Sequence, residues 1–225
     1  MLYIIPTKGG LGVELWGTFD DLNNFYEVIG KFWNDENKLN KKGFENRDSL
    51  ISGFSYEIRK AKDECRLVRN RSHFSFEEEK HFGVQISWVH FLFSLASIKF
   101  NMRYRETNKY DISQILLIEF WLEEAMNSYD SVGARNLLGF IEDGLYGGND
   151  YIYQCMRIVN LDFFLLGGGK KAFRKLPELL RRGVYYTQEY IDYQQFLEKE
   201  AKRLNCKPSE IELNDDDFNY DAVKW

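Results

Sequence analysis

Two glutamates one helical turn apart, Glu119 and Glu123, are the residues of this sequence whose type and spacing are best suited to chemistry. They lie within the stretch Asp111–Met126, in which large apolar residues occupy most positions around the predicted helix. Carboxylates on a helix that is apolar nearly all round need cationic partners, raised pKa values or an opening to water. A pair of this kind could act as general acid and base or bind a divalent ion.

The alternative for both glutamates is neutralisation by basic side chains of neighbouring helices, for which Arg103, Arg135 and Arg157 are the candidates. A carboxylate metal site in a helical bundle needs two Glu-x-x-His units. The chain has one, from Glu78 to His81, in a charged run beside a predicted strand. We therefore expect a buried or half-buried ion-pair site on a central packing helix, with no metal and no cofactor, and treat the two glutamates as weak catalytic candidates.

Other catalytic or metal-binding patterns are incomplete. His73, His81 and His90 are separated by eight and nine residues, which fits neither a helical pair of ligands nor a zinc knuckle. The segment Gly53–Glu57 stops short of the Gly-x-Ser-x-Gly nucleophile motif because its last residue is glutamate. The sequence thus presents no assembled catalytic motif, and whether the protein is an enzyme stays open.

Basic side chains cluster in two stretches that could bind an anion or a nucleic acid. The candidates are Arg66, Arg69, Arg71, Lys170, Lys171 and Arg174. The second stretch follows a glycine turn at the start of a predicted helix, where backbone amides favour anions. Nucleic-acid binders usually carry a net basic domain, whereas this chain has a formal charge of −5. A broad nucleic-acid surface is therefore not expected, and a local one remains an alternative.

Residues 207–225 form an acidic and aromatic tail. Six acids and two lysines give the tail −4 of the total charge of −5, so the remaining 206 residues are nearly neutral. A free terminal segment of this composition would normally be disordered. We expect the tail to dock instead, with Phe218 and Trp225 in an apolar groove and its acids over basic residues.

The strands and helices predicted to position these side chains indicate an α+β fold in one compact domain. Residues 1–108 read as a mixed half, with strands at Leu2–Pro6, Gly12–Phe19, Cys65–Arg69 and Phe82–Trp88, a covering helix from Asp20 to Asn34, and a helix at Val89–Arg105. Residues 109–206 read as helices at Asp111–Asn127, Ser131–Leu145, Asp150–Leu166, Lys170–Arg182 and Thr187–Asn205. A small, mostly antiparallel N-terminal sheet is thus expected to share one core with a C-terminal helical bundle.

Two segments of the first half are harder to assign. Asp35–Asp48 is polar and predicts a surface loop. Ser49–Arg71 fits either one helix with a central Gly53 or a strand that leads into a short helix, and we favour a strand, then a helical turn at Tyr56–Lys62, then the strand Cys65–Arg69. Asp111, followed by Gln114, is the expected N-cap of the central helix.

The N-terminal half resembles a bacterial family of domains of unknown function. The resemblance lies in Gly12–Glu27, where a strand leads through Gly-Thr into an acid-capped helix, and in the strand-to-helix corner Ile86–Phe93. It covers at most the first 105 residues. It implies a bacterial source and brings no known activity.

Composition places the protein in a reducing compartment. Three widely spaced cysteines form no disulfide framework, no apolar run reaches about 18 residues, and the first residues have no basic region and too short an apolar run for us to expect a signal peptide. We therefore expect a cytoplasmic protein without membrane segments.

The functional expectation is a non-catalytic interaction or regulatory protein that binds a protein partner or forms a homo-oligomer. The alternatives are an enzyme or small-ligand binder that uses Glu119 and Glu123, and local nucleic-acid binding through the basic stretches.

Overall fold

The computed structural model describes residues 1–33, 43–72, 78–213, 215 and 217–225. Most of the predicted loop Asp35–Asp48 and the histidine His73 lie outside these residues. Arg71 is described only as part of a strand, without its side chain.

Four antiparallel strands form one sheet in the order β1-β2-β4-β3. They are β1 (Tyr3–Pro6), β2 (Gly12–Gly17), β3 (Leu67–Ser72) and β4 (Glu78–Ser87). Side chains alternate between the two faces, and Ile4, Leu15 and Val84 bury the inner face against helices. The outer face carries Tyr3 paired with Trp16 and Arg69 paired with His81.

Seven α-helices surround and follow the sheet in the described parts of the chain. They are α1 (Phe19–Gly30), α2 (Phe44–Lys62), α3 (Trp88–Met102), α4 (Lys109–Arg135), α5 (Ile152–Leu165), α6 (Gly169–Leu180) and α7 (Gln188–Leu204). A π-helical turn, Phe140–Gly144, follows α4. The α+β prediction, with the sheet first and the helices after it, is confirmed.

The prediction of a strand after Ser49 is wrong, because α2 is one continuous helix. Leu50, Phe54 and Ile58 recur at helical spacing and are fully buried between the neighbouring helices and the sheet. Gly53 lies inside the helix and does not end it, and open space surrounds the position where a Cβ atom would lie. Packing of the apolar stripe overrides the weak helix propensity of glycine.

Helix α4 begins at Lys109, two residues before the predicted start at Asp111. Asn108 is its N-cap, and Asp111 completes the capping box as the third helical residue, accepting from the Asn108 backbone N–H at 3.1 Å. Burial raises the pKa of Asp111, but hydrogen bonds from Lys31, at 2.6 Å, and from Asn108 outweigh it and lower that pKa. The helix continues past the predicted end, with a kink at Asp130.

One core runs through both halves of the chain. Trp88, fully buried where β4 meets α3, donates from its indole nitrogen to the Gly10 carbonyl at 3.1 Å. Its ring lies 5.2 Å from that of Phe173 in α6. The sheet and the later helices therefore pack as one body. No helix in the described residues combines the length and the apolar character needed to cross a membrane.

Candidate functional site

Glu119 is held by a lysine of the neighbouring helix. Lys99 Nζ, on α3, lies 2.7 Å from Glu119 Oε1. The same ammonium donates to the backbone carbonyls of Ile141, at 3.0 Å, and of Glu142, in the π-helical turn. This lysine therefore links α3, α4 and the π-helical turn.

The expected arginine partners lie elsewhere, so that prediction is wrong. Arg157 pairs with Asp215 of the tail at 3.3 Å, and the Arg103 guanidinium lies over the Phe100 ring at 5.2 Å. Arg135 is exposed at the end of α4. The cation that pairs with Glu119 is Lys99 of α3, which lies one turn after the buried Leu95.

Glu123 is partly buried and has no cationic partner among the residues with described side chains. Burial raises the pKa of this carboxyl, and the charges of Glu119, Glu142 and Glu124 raise it further. A cavity of about 380 Å³ opens beside Lys99, but neither Glu119 nor Glu123 lines it. In the described parts of the chain, no three His, Cys, Asp or Glu side chains are grouped to hold a metal.

Two of the predicted anion-binding arginines already bind carboxylates. Arg66 forms two hydrogen bonds with Glu57, at 2.8 and 3.0 Å. Arg174 forms two with the buried Asp130, at 2.6 and 2.9 Å, which lower the pKa of Asp130 to about 2. Of the second basic stretch, Lys170 and Lys171 are exposed at the start of α6.

Arg69 stands apart from the other basic residues. Its guanidinium lies 4.1 Å from the centre of the Trp16 ring and 5.0 Å from that of Tyr3. It donates from Nη2 to the Tyr3 hydroxyl oxygen. No carboxylate with a described side chain lies within ion-pair distance of it.

A chain of hydrogen bonds continues from Arg69 across the outer face of the sheet. The Tyr3 hydroxyl oxygen, which accepts from Arg69, lies 3.5 Å from His81 Nδ1. His81 Nε2 then donates to Glu79 at 3.0 Å. His81, which contacts both Tyr3 and Glu79, is almost fully buried.

These side chains line a cavity of about 790 Å³ between the outer face of the sheet and α4. Its walls include Tyr3, Arg69, Glu79, His81 and Trp121. The sequence pointed to Arg69 but missed the others as site residues. The alternation of charged and aromatic residues in β4 indicates which side chains lie on the outer face of the sheet. It does not predict the strand register that brings Tyr3 and Arg69 together.

Helix α4 presents an apolar face to solvent, although the sequence predicts a central packing helix. Ile112, Leu116 and Phe120 are 42%, 57% and 52% exposed and occupy successive turns. Lys109 and Glu124, both exposed, lie beyond the two ends of this strip. We call Ile112, Leu116 and Phe120 the apolar strip.

The tail packs on α5. Phe164 is stacked with Phe218 at 5.9 Å between ring centres and meets Trp225 edge-on at 5.8 Å. The Asp215 carboxylate accepts from Arg157 and from the Tyr220 hydroxyl. Aromatic stacking and one ion pair thus fix the tail to the body.

A family model described as a domain of unknown function, DUF6904, matches residues 2–225. The match extends well beyond the first 105 residues, to which the sequence resemblance was confined. No curated protein and no solved structure matches the chain.

Proposed function

We propose, for a chain that belongs to the DUF6904 family of unknown function, that it is a non-catalytic interaction protein that pairs with a second copy of itself through α4. The observation that carries the proposal is the apolar strip. Three large side chains in a row, each about half exposed, form a continuous face on a rigid helix. Contiguous exposed apolar surface of this kind marks interaction sites, whereas scattered apolar residues do not.

Charge complementarity supports a second copy as the occupant. In an antiparallel pair of α4 helices with its two-fold axis between residues 116 and 117, position n of one helix faces position 233 − n of the other. Phe120 then faces the small Ser113, and Lys109 faces Glu124. A two-fold interface repeats each contact, so both ends gain an ion pair.

The alternatives have less support. An enzyme based on Glu119 and Glu123 would need an accessible pair, but Lys99 holds the first carboxylate. Nucleic-acid binding through the arginines of the two basic stretches would compete with Glu57 for Arg66 and with Asp130 for Arg174. We place the protein in the bacterial cytoplasm, on the family resemblance of its N-terminal half and its three unpaired cysteines.

The test is sedimentation equilibrium of the wild type and of Leu116→Glu. We expect a reversible dimer for the wild type and a folded monomer for the variant, because the charge would be buried at the centre of the interface. Leu165→Glu is the matched control, since Leu165 is 65% exposed near the end of another helix. A monomeric wild type, or a variant that dimerises as strongly, would contradict the proposal.

A further inference from the structure

The cavity on the outer face of the sheet contains a cation, Arg69, that no carboxylate with a described side chain neutralises. Arg69 is half-buried, and its described contacts are to two aromatic rings and to the neutral Tyr3 hydroxyl. Removing a guanidinium partly from water costs free energy unless an anion or further hydrogen-bond acceptors contact it. Its planar group is well suited to bind a carboxylate.

Two N–H donors along this cavity lack acceptors. Arg69 Nε and Trp121 Nε1 are both shielded from solvent and have no hydrogen-bond partner in the part of the chain that the structure describes. A buried donor without an acceptor costs about 1–3 kcal/mol. Because both atoms are shielded, a ligand oxygen would reach them only after the two side chains turn towards the cavity, and the new hydrogen bonds would offset that movement.

The other walls restrict the kind of anion. Tyr3, Ile5 and Trp121 offer apolar and aromatic surface. Glu79 lies in the same cavity, is 57% exposed and accepts from His81. Its negative charge repels a multiply charged anion more strongly than a single carboxylate.

We infer that this cavity binds a small monocarboxylate with an apolar or aromatic body, with Arg69 and the Trp121 indole N–H as donors to the carboxylate. The aromatic walls hold the body of the ligand. The Trp16 ring packs against the Arg69 guanidinium, and the contacts from Tyr3 through His81 to Glu79 line the sheet side of the cavity.

The experiment is a titration of the ¹⁵N-labelled protein with sodium benzoate, followed through the indole N–H signals of its tryptophans. Trp121→Phe assigns the Trp121 signal and removes one donor while it keeps an aromatic wall. We expect the Trp121 signal to shift with saturation for the wild type. Inorganic phosphate at equal ionic strength should bind more weakly than benzoate.

Arginine variants show whether the ligand is bound where we infer. Arg69→Met should weaken benzoate binding about tenfold or more, because one hydrogen-bonded charge is lost. Arg66→Met is the matched control and should bind as the wild type does, because Arg66 pairs with Glu57 outside this cavity. Arg69→Lys keeps the charge without the planar fork and should fall between the two.

Several results would overturn the inference. They are an unshifted Trp121 signal, equal affinity of Arg69→Met and the wild type, and phosphate binding as strong as benzoate binding. If Arg69→Met does not fold, calorimetry with Trp121→Phe replaces it, and undiminished benzoate affinity there would count against the site. The same titration on Leu116→Glu shows whether benzoate binding depends on self-association, because Trp121 lies on α4 and contacts Phe120 of the apolar strip.

Discussion

Lys99 Nζ lies 2.7 Å from Glu119 Oε1, and the same ammonium donates to two carbonyls of the π-helical turn. One side chain thereby neutralises the carboxylate on α4 and satisfies backbone acceptors at Phe140–Gly144. Glu119, which the sequence suggested as a catalytic candidate, therefore helps to hold α4 in place with its apolar strip facing solvent.

Lys99→Met should destabilise the protein. Glu119 would remain partly buried without a cation, and two carbonyls would lose a donor, so we expect a loss of about 1–3 kcal/mol in the free energy of unfolding. Urea unfolding measures the change, and Lys170→Met, at an exposed position, should stay within about 0.5 kcal/mol of the wild type. The double variant Lys99→Met with Glu119→Gln should lose less than the sum of the single losses, and strict additivity would contradict the pairing.

Glu123→Gln should stabilise the protein at neutral pH. Burial and three neighbouring glutamates raise the pKa of Glu123 in the folded state above its ordinary value of 4.5. A raised carboxyl pKa means that ionisation opposes folding, so the folded state gains relative stability as the pH falls through that pKa. The advantage of the variant, which we expect to be below about 1 kcal/mol, should be complete at pH 7 and vanish below pH 4.5.

Unfolding curves of both proteins at several pH values measure this difference. A variant that is less stable than the wild type at pH 7, or a difference that does not change with pH, would show that Glu123 has a favourable partner.

Gly53→Ala should stabilise the protein by about 0.5–1 kcal/mol, because alanine is the better residue inside a helix and the site has room for a Cβ atom. Gly83→Ala is the contrasting variant, since its Cβ atom would lie 2.5 Å from the Trp16 ring. We expect it to be destabilising by about 1–3 kcal/mol. Thermal unfolding distinguishes them, and a destabilised Gly53→Ala would argue against a continuous α2.

Local patterns were sufficient for much of the fold. The alternation of Phe82, Val84 and Ile86 placed β4, and Thr187 and Asn205 marked the two ends of α7. Such signals act within one element, so they can be read without knowing its neighbours.

The remainder depended on contacts between elements. Gly53 suggests a break in the helix, but the buried residues on both sides of it belong to one apolar stripe of α2. The cation that pairs with Glu119 depends on how α3 packs against α4. The outer-face cavity depends on the register that pairs Arg69 with His81. The apolar strip was missed for a related reason, because a helix that is apolar nearly all round is equally consistent with burial in its own chain or against another copy.

The most direct test of self-association through α4 is a charge exchange at its ends, followed by sedimentation equilibrium at low salt. The proteins are the wild type, Lys109→Glu, Glu124→Lys and the double variant. Each single variant places like charges at two sites of a symmetric dimer, so its dissociation constant should rise about tenfold. The double variant should return to the dissociation constant of the wild type. A wild type that stays monomeric, or a double variant that associates no better than the single variants, would contradict the antiparallel α4 pair.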